Sequence, residues 1–404
     1  MTQTDLVFKN NIQLKNLKSN SRNYLIKRYN KILLEIKKDL KNNKKTISVL
    51  DDNFKLNIKI KDLKKFKKFH KIAFVGMGGS ILGVEAVYNF FQLKITKKIY
   101  FFNNIDEKKI ISFKKKENLS KVLFVIISKS GNTVETLSNT FSLNVIKKKA
   151  NNIILISEKN NLLSSLSKEL NLFHIEHRDY IGGRYSVLSE AGLIPAYLMG
   201  INIKKFRSKI LNCFDNKNLN FLKESTIKLT SLISSKKFSS LIFLNYSPEL
   251  EKFLYWCQQL LAESLGKKNK GLLPMVSTAP KDHHSLLQLY LDGPNDKIFN
   301  IFSFENNSEL KTTIPKGSSV GSFFNKKKLN KIKNAQRHAL IKVFKKKQIP
   351  FREFKIKKNN EEVLGKLFSL FITETIIIGK LLNINPFDQP AVEQVKVYTK
   401  KLLS

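Results

Sequence analysis

The run VLFVIISKSGNTVETL, residues 122–137, decides the fold. Val122–Ile127 are all apolar and mostly β-branched, which fits a short strand covered on both faces. SKSGNT then breaks the run with hydroxyls and a glycine. A helix is predicted from about Val134 to Lys148. Strand, polar turn and helix make half of a parallel βαβ unit.

Working outward, the same grammar recurs. IAFVG (72–76) is a strand that ends in glycine, followed by GMGGS (76–80) and the apolar helix ILGVEAVYNFF (81–91). KIYFFNN (98–104) and NIILIS (152–157) are further strands. The layout then returns with the strand SLIFLNY (240–246) and the long helix PELEKFLYWCQQLLAESL (248–265). LPMVST (273–278), KIFNIFSF (297–304) and FREFKI (351–356) are strands, and a helix is predicted near 334–346. Helices over about 361–382 and 391–403 finish the chain. Residues 1–50 are polar and Lys-rich, with Tyr24, Leu25, Tyr29, Ile32, Leu33 and Ile36 at helical spacing. The expected organisation is an N-terminal helical segment (1–50), a first α/β domain (51–205), a helical bridge (206–235) and a second α/β domain with C-terminal helices (236–404).

Composition narrows the class. An apolar fraction of 42% in 404 residues builds real cores and excludes wholesale disorder. Lys+Arg 73 minus Asp+Glu 32 gives +41. The lysines run end to end beside abundant Asn, Ile and Phe, all with A/T-rich codons. A dedicated nucleic-acid surface concentrates charge on one element, so no nucleic-acid partner is expected, although the excess still attracts anions. Two cysteines, Cys213 and Cys257, cannot form a disulfide framework and fit a reducing compartment. MTQTDLVFKNN lacks a signal-peptide core. No uninterrupted apolar run approaches the ~20 residues that cross a bilayer. A cytoplasmic protein without a membrane partner is the expectation.

Six segments carry chemistry. GMGGS places glycines and free N–H groups at a helix start, a recipe for an anion or sugar site. It fails the dinucleotide spacing, because Ile81 stands where the third glycine belongs. In SKSGNT, the hydroxyls of Ser128, Ser130 and Thr133, the charge of Lys129 and the Gly131 N–H precede a helix. That is a phosphate-monoester cradle, though a plain helix cap would look alike. GGRYSVLSEAGLIPA (182–196) holds Arg184 behind two glycines, where a cation can balance developing negative charge. In QQLLAESLG (258–266), Gln259 and Glu263 share a helix face. Glu263 sits among apolar neighbours and suits proton transfer. KDHHSLLQ (281–288) lacks the i, i+4 His pair of zinc helices, so no metal is expected, and one His handling a proton is favoured. In NINPFDQPAVEQVKVY (383–398), two prolines fix a turn that can aim Gln389 and Lys396 at a site.

Taken together and in this order, these segments resemble the phosphoglucose isomerase family of the sugar-isomerase (SIS) superfamily. The resemblance spans about 70–404. It implies two SIS domains, each a parallel five-stranded sheet flanked by helices, with N- and C-terminal helices added. The activity it implies is reversible aldose–ketose isomerisation of glucose 6-phosphate and fructose 6-phosphate through a cis-enediolate, without a cofactor. Glu263 matches the family's base and Arg184 the arginine that stabilises the enediolate. His284, four before Gln288, matches the ring-opening histidine, which in that family is donated across a homodimer interface. Lys396 matches the lysine that assists at the ring oxygen. Ser128, Lys129, Ser130 and Thr133 match the phosphate loop, and Gly79, Ser80, Glu135, Gly183, Gln259 and Gln389 match further substrate contacts. Asn132 and Ala391 depart from the family's usual Thr and Gly. The implied partner is a small sugar phosphate. The competing readings are a sugar-phosphate-sensing DNA-binding regulator, which would carry a separate helix-turn-helix, and an isomerase that also accepts mannose 6-phosphate.

Overall fold

The computed structural model describes residues 5–13, 19–305 and 309–403. Among the described residues the first elements are strand β1 (Leu6–Asn10) and helix α1 (Ser19–Asp39). The first half continues through β2 (Lys71–Gly76), α2 (Leu82–Phe91), β3 (Lys98–Phe102), α3 (Glu107–Lys116), β4 (Val122–Ile127), α4 (Val134–Leu143), β5 (Ile153–Ser157), α5 (Leu162–Glu169) and β6 (Phe173–Glu176). Helices α6 (Glu190–Leu198), α7 (Ile203–Arg207) and α8 (Asn216–Ser234) lead to the second half. There follow β7 (Ser240–Asn245), α9 (Glu251–Leu265), β8 (Leu273–Thr278), α10 (Leu287–Asp292), β9 (Lys297–Phe304), α11 (Leu329–Lys346), β10 (Phe351–Ile356), α12 (Glu361–Leu381) and α13 (Glu393–Leu403).

Two five-stranded sheets result, in the orders β3-β2-β4-β5-β6 and β8-β7-β9-β10-β1. The first is parallel throughout. In the second, β7 to β10 are parallel and β1 joins the edge antiparallel, with Leu6 opposite Ile356. The two halves therefore share one topology, with β1 in the fifth place of the second. This corrects the expectation for residues 1–50, which are not wholly helical, and the expectation of an all-parallel second sheet. In each sheet the chain steps to one side and then the other of its first strand. The crevice at such a reversal, outside the carboxyl ends of the strands, is where α/β sheets bind ligands. In the first sheet it lies between β2 and β4, and so between GMGGS and SKSGNT.

Side chains explain the layers. Every residue of β4 is buried, with Leu123, Val125 and Ile127 facing one core and Phe124 and Ile126 the other. The larger core is continuous across both halves and includes α2, α6, α9 and α12. Trp256 of α9 meets Phe368 of α12 edge-on at 4.6 Å between ring centroids. The same core holds a charged group: Arg352 of β10 lies 2.6 Å from Glu374 of α12 and 2.9 Å from the Asn300 Oδ1 of β9, and also bonds Ser225 of α8. By contrast, no residue of α13 is buried. No helix among the described residues is long and apolar enough to cross a membrane.

An ionic cluster ties the amino ends of β2 and β3 to the residue after α3. Glu117 accepts from Lys71 at 2.6 Å, from Lys98 at 2.9 Å and from the Tyr100 hydroxyl. These bonds, that of Lys71 foremost, hold its carboxyl at about 2, against an ordinary 4.5. A carboxyl lowered on folding adds stability that is complete above its unfolded value and fades as pH falls through its folded one. Glu117→Gln should therefore be less stable than the parent near neutrality, and the two should converge as pH approaches 2. Urea titrations at a series of pH values check this, and a gap independent of pH would refute it.

Candidate active site

Three chain segments meet where the first sheet faces α9. GMGGS follows β2, and the Gly183–Leu188 turn of 3-10 helix lies directly against it. A Cβ on Gly79 would lie 2.3 Å from the Gly183 carbonyl carbon and 2.4 Å from the Arg184 nitrogen. Only glycine allows these two backbones to come so close, and their contact fixes where Arg184 starts.

Arg184 is buried, with 3% of its surface exposed, so its donors need partners inside the protein. Nε donates to Ser264 Oγ at 2.8 Å. Nη2 donates to the carbonyls of Pro386 at 2.6 Å and Asp388 at 3.0 Å. Nη1 reaches Glu263 Oε2 at 3.2 Å and Gln389 Oε1 at 3.4 Å. The planar guanidinium fork thus joins three distant stretches of chain, which a lysine's single ammonium could not do. Trp256 Nε1 holds the Arg184 carbonyl at 3.1 Å, and the Tyr185 hydroxyl contacts Ser264 Oγ and Pro386 O, both at 2.8 Å. Lys267 ties down the 385–388 turn with bonds to Asn385 O, Asp388 O and the Asp388 carboxylate. The Lys267 bond holds the Asp388 carboxyl below the usual carboxylate range.

Glu263 lies one turn beyond Gln259 on α9, and the Gln259 Nε2 donates to its Oε1 at 2.8 Å. Its surroundings are polar rather than apolar as expected, since each carboxylate oxygen has its own donor. Gln259 Oε1 is buried and, among the described residues, has no hydrogen-bond partner. Glu263, Gln259, Leu82 and Glu85 line a cleft of about 400 Å³ between α2 and α9.

The turn after β4 forms a second cradle. Ser128 Oγ and Thr133 Oγ1 are 3.0 Å apart, and Ser130 Oγ is 3.5 Å from Thr133 Oγ1. Gly131 has φ +63°, and a Cβ there would stand 1.9 Å from Asn161 Oδ1. α4 begins at Val134 with no side-chain cap bond. Free N–H groups and hydroxyls therefore converge at a helix start, where an anion is favoured. Glu135 is exposed in the first turn of α4, and Ser80 is half-buried in GMGGS.

Three expected residues lie elsewhere. Lys129 turns away from the cradle, donating to the Asp179 carbonyl at 2.6 Å and pairing with Glu158 at 3.4 Å. His284 is exposed on the short turn after β8, and the hydrogen bonds of Arg184 and Glu263 go to other residues. Its neighbour His283 is engaged with the Tyr246 hydroxyl at 2.8 Å, which separates the two histidines. Lys396 is exposed on α13 and pairs with Glu393 at 2.7 Å. Tyr185, Trp256, Ser264, Lys267 and Asp388 were not singled out in the sequence. All but Trp256 sit within or beside the quoted motifs, and only the fold shows that they frame Arg184. Both cysteines are buried, and burial pushes the Cys213 thiol up to about 12. Among the described residues, no group of three His, Cys, Asp or Glu side chains could hold a metal ion.

Comparison with known proteins places this geometry. The family model described as phosphoglucose isomerase matches residues 36–280. A probable glucose-6-phosphate isomerase of Methanococcus maripaludis is 33% identical over 88% of this chain and 82% of its own. The glucose-6-phosphate isomerase of Methanocaldococcus jannaschii is 30% identical over 85% and 87%. Among solved structures, a glucose-6-phosphate isomerase from Chlamydia trachomatis superposes with a TM-score of 0.76 at 17% identity, covering 99% of this chain and 88% of that one. A Thermus thermophilus protein described as hypothetical gives 0.79 at 21% identity, covering 96% and 98%. These two structures support the fold, and the sequence matches go further: the chain belongs to the phosphoglucose isomerase family.

Proposed function

We propose that the protein interconverts D-glucose 6-phosphate and D-fructose 6-phosphate. The observation that carries this reading is the 3.2 Å contact between Arg184 and Glu263, from segments far apart in sequence, beside the glycine turns. A base and a cation so placed can share one small substrate, with the proton taken by one and the resulting negative charge balanced by the other.

In this reading the phosphate dianion sits on Ser128, Ser130, Thr133 and the N-terminus of α4. Binding energy from this remote group orients the reacting carbons. Glu263 takes the C2 proton, giving a cis-enediolate, and returns it to C1. Arg184 balances the charge on the enediolate oxygens. Gln259, Gly79, Ser80, Gly183, Glu135 and Gln389 complete the contacts. His284 and Lys396 open the ring by moving protons at its oxygen. Because His284 lies apart from Glu263 within one chain, we assign it to the site of a second copy in a homodimer. We place the enzyme in the cytoplasm, in glycolysis and gluconeogenesis, and divide it into a first functional domain of 51–205 and a second of 236–404 whose sheet is completed by β1.

The direct test adds fructose 6-phosphate and follows glucose 6-phosphate with a coupled dehydrogenase, with and without a chelator. Turnover unaffected by the chelator is expected, and no glucose 6-phosphate would refute the reading. The orientation of Lys129 sets a further expectation. Its bonds go to Asp179 and Glu158 and not to the cradle hydroxyls, and a half-buried surface pair of this kind contributes about 1 kcal/mol. Lys129→Ala should therefore raise KM by no more than about fivefold, with kcat near the parent's. A rise in KM by orders of magnitude would show that its ammonium grips the phosphate itself.

A further inference from the structure

Glu85 is a buried carboxylate with no part in the mechanism above. It lies in the first turn of α2, with 5% of its surface exposed. Burial pushes its carboxyl above the usual range, against the pull of Lys252 and Lys109. Burying such a group is costly unless it is bonded. Glu85 Oε1 accepts from Asn103 Nδ2 at 2.6 Å.

The bond joins two elements that bear on the site. α2 grows out of GMGGS, so Glu85 is fixed to the turn that touches Gly183. Asn103 begins the turn after β3. The next residue, Asn104, offers its carbonyl to Asn139 Nδ2 at 3.0 Å. Asn139 is buried on α4, with 1% of its surface exposed, and α4 is the helix whose N-terminus carries the 128–133 cradle. A polar relay therefore runs from α2 through the β3 turn to α4. It links the turn after β2 to the turn after β4 by way of Asn103, which lines the same cleft as Gln259 and Glu263. Glu85 also lines the cleft that holds Gln259 and Glu263.

We infer that Glu85 is a positioning residue: through Asn103 and Asn139 it sets the phosphate cradle in register with the sugar-binding glycine turn. The inference rests on the proposed sugar-phosphate reading for its ligand. Its chemistry needs only an acceptor oxygen at this place, so glutamine should serve and alanine should not. A role limited to general stability would lower the folded fraction without changing affinity in the molecules that remain folded.

The test measures the dissociation constant for inorganic phosphate by calorimetry in the parent, Glu85→Gln, Glu85→Ala, Asn103→Ala and Asn139→Ala, each scaled to its folded fraction. Glucose 6-phosphate kinetics are run in parallel. Glu85→Ala should weaken phosphate binding and raise KM by about 3- to 10-fold, the worth of one buried hydrogen bond, with kcat changed less. Asn103→Ala and Asn139→Ala should match it, and Glu85→Gln should stay within about twofold of the parent. If Glu85→Ala does not fold, Asn103→Ala breaks the same bond and decides the matter. Unchanged phosphate affinity in the alanine variants, or a parent that binds no phosphate, overturns the inference. Phosphate binding that falls as described in a parent without isomerase turnover upholds the relay and refutes the proposed function instead.

Discussion

Replacing Glu263 by glutamine is expected to lower kcat by at least about 10²–10⁴-fold while KM stays near the parent value. Glutamine keeps the size of the side chain and an oxygen that Gln259 and Arg184 can still approach. What it loses is the ability to take up a proton. The phosphate cradle is on a different element, so ground-state binding has no reason to change. Steady-state kinetics in the coupled assay give both parameters. Near-normal turnover would remove Glu263 as the base. A rise confined to KM would make it a binding group only.

The second large effect is structural. Arg352 and Glu374 are almost wholly buried, with 0% and 2% of their surfaces exposed. Arg352→Met should lower the unfolding free energy by about 3–5 kcal/mol, because it leaves the Glu374 carboxylate without its cation and strips partners from Ser225 and Asn300. Urea denaturation at neutral pH measures the loss. Joining Arg352→Met to Glu374→Leu should recover most of it, since removing both charges ends the penalty of burying one alone. A single variant as stable as the parent would mean that water or a shift in protonation satisfies Glu374.

Much of the fold can be read directly. LPMVST, KIFNIFSF and FREFKI coincide with β8, β9 and β10 residue for residue. β9 is buried at every position after Lys297, which leaves little choice of residue, whereas β8 and β10 are only partly buried and are marked by short runs of apolar or alternating residues. β1 is the instructive miss. LVFKN is short, mixed in polarity and on a sheet edge, and its partner is the last strand of the chain, so no local pattern marks it. β6, FHIE, escapes for the same reason, with only one of its four residues buried. The candidate site divides along similar lines. Glycines beside a strand end announce a close approach, which Gly79 makes to the Gly183–Arg184 backbone and Gly131 to the Asn161 side chain. The meeting of Arg184 with Glu263 depends on tertiary placement, which the motifs imply through their family resemblance and not through spacing. The turning away of Lys129 toward Asp179 and Glu158 is invisible locally, because a lysine between two serines reads equally well as a phosphate ligand.

The position of β1 bears on how the molecule is made. During synthesis the first strand emerges long before Phe351–Ile356, the strand it must join. Until the ribosome has delivered that partner, β1 has no strand to pair with, although Phe8 can already stack on Phe221 of α8, and the outer edge of β10 has no cover when it appears. Bare sheet edges recruit neighbouring chains, so the interval between release of the C-terminal half and capture of the leading strand is the period when nascent chains are most open to misassociation.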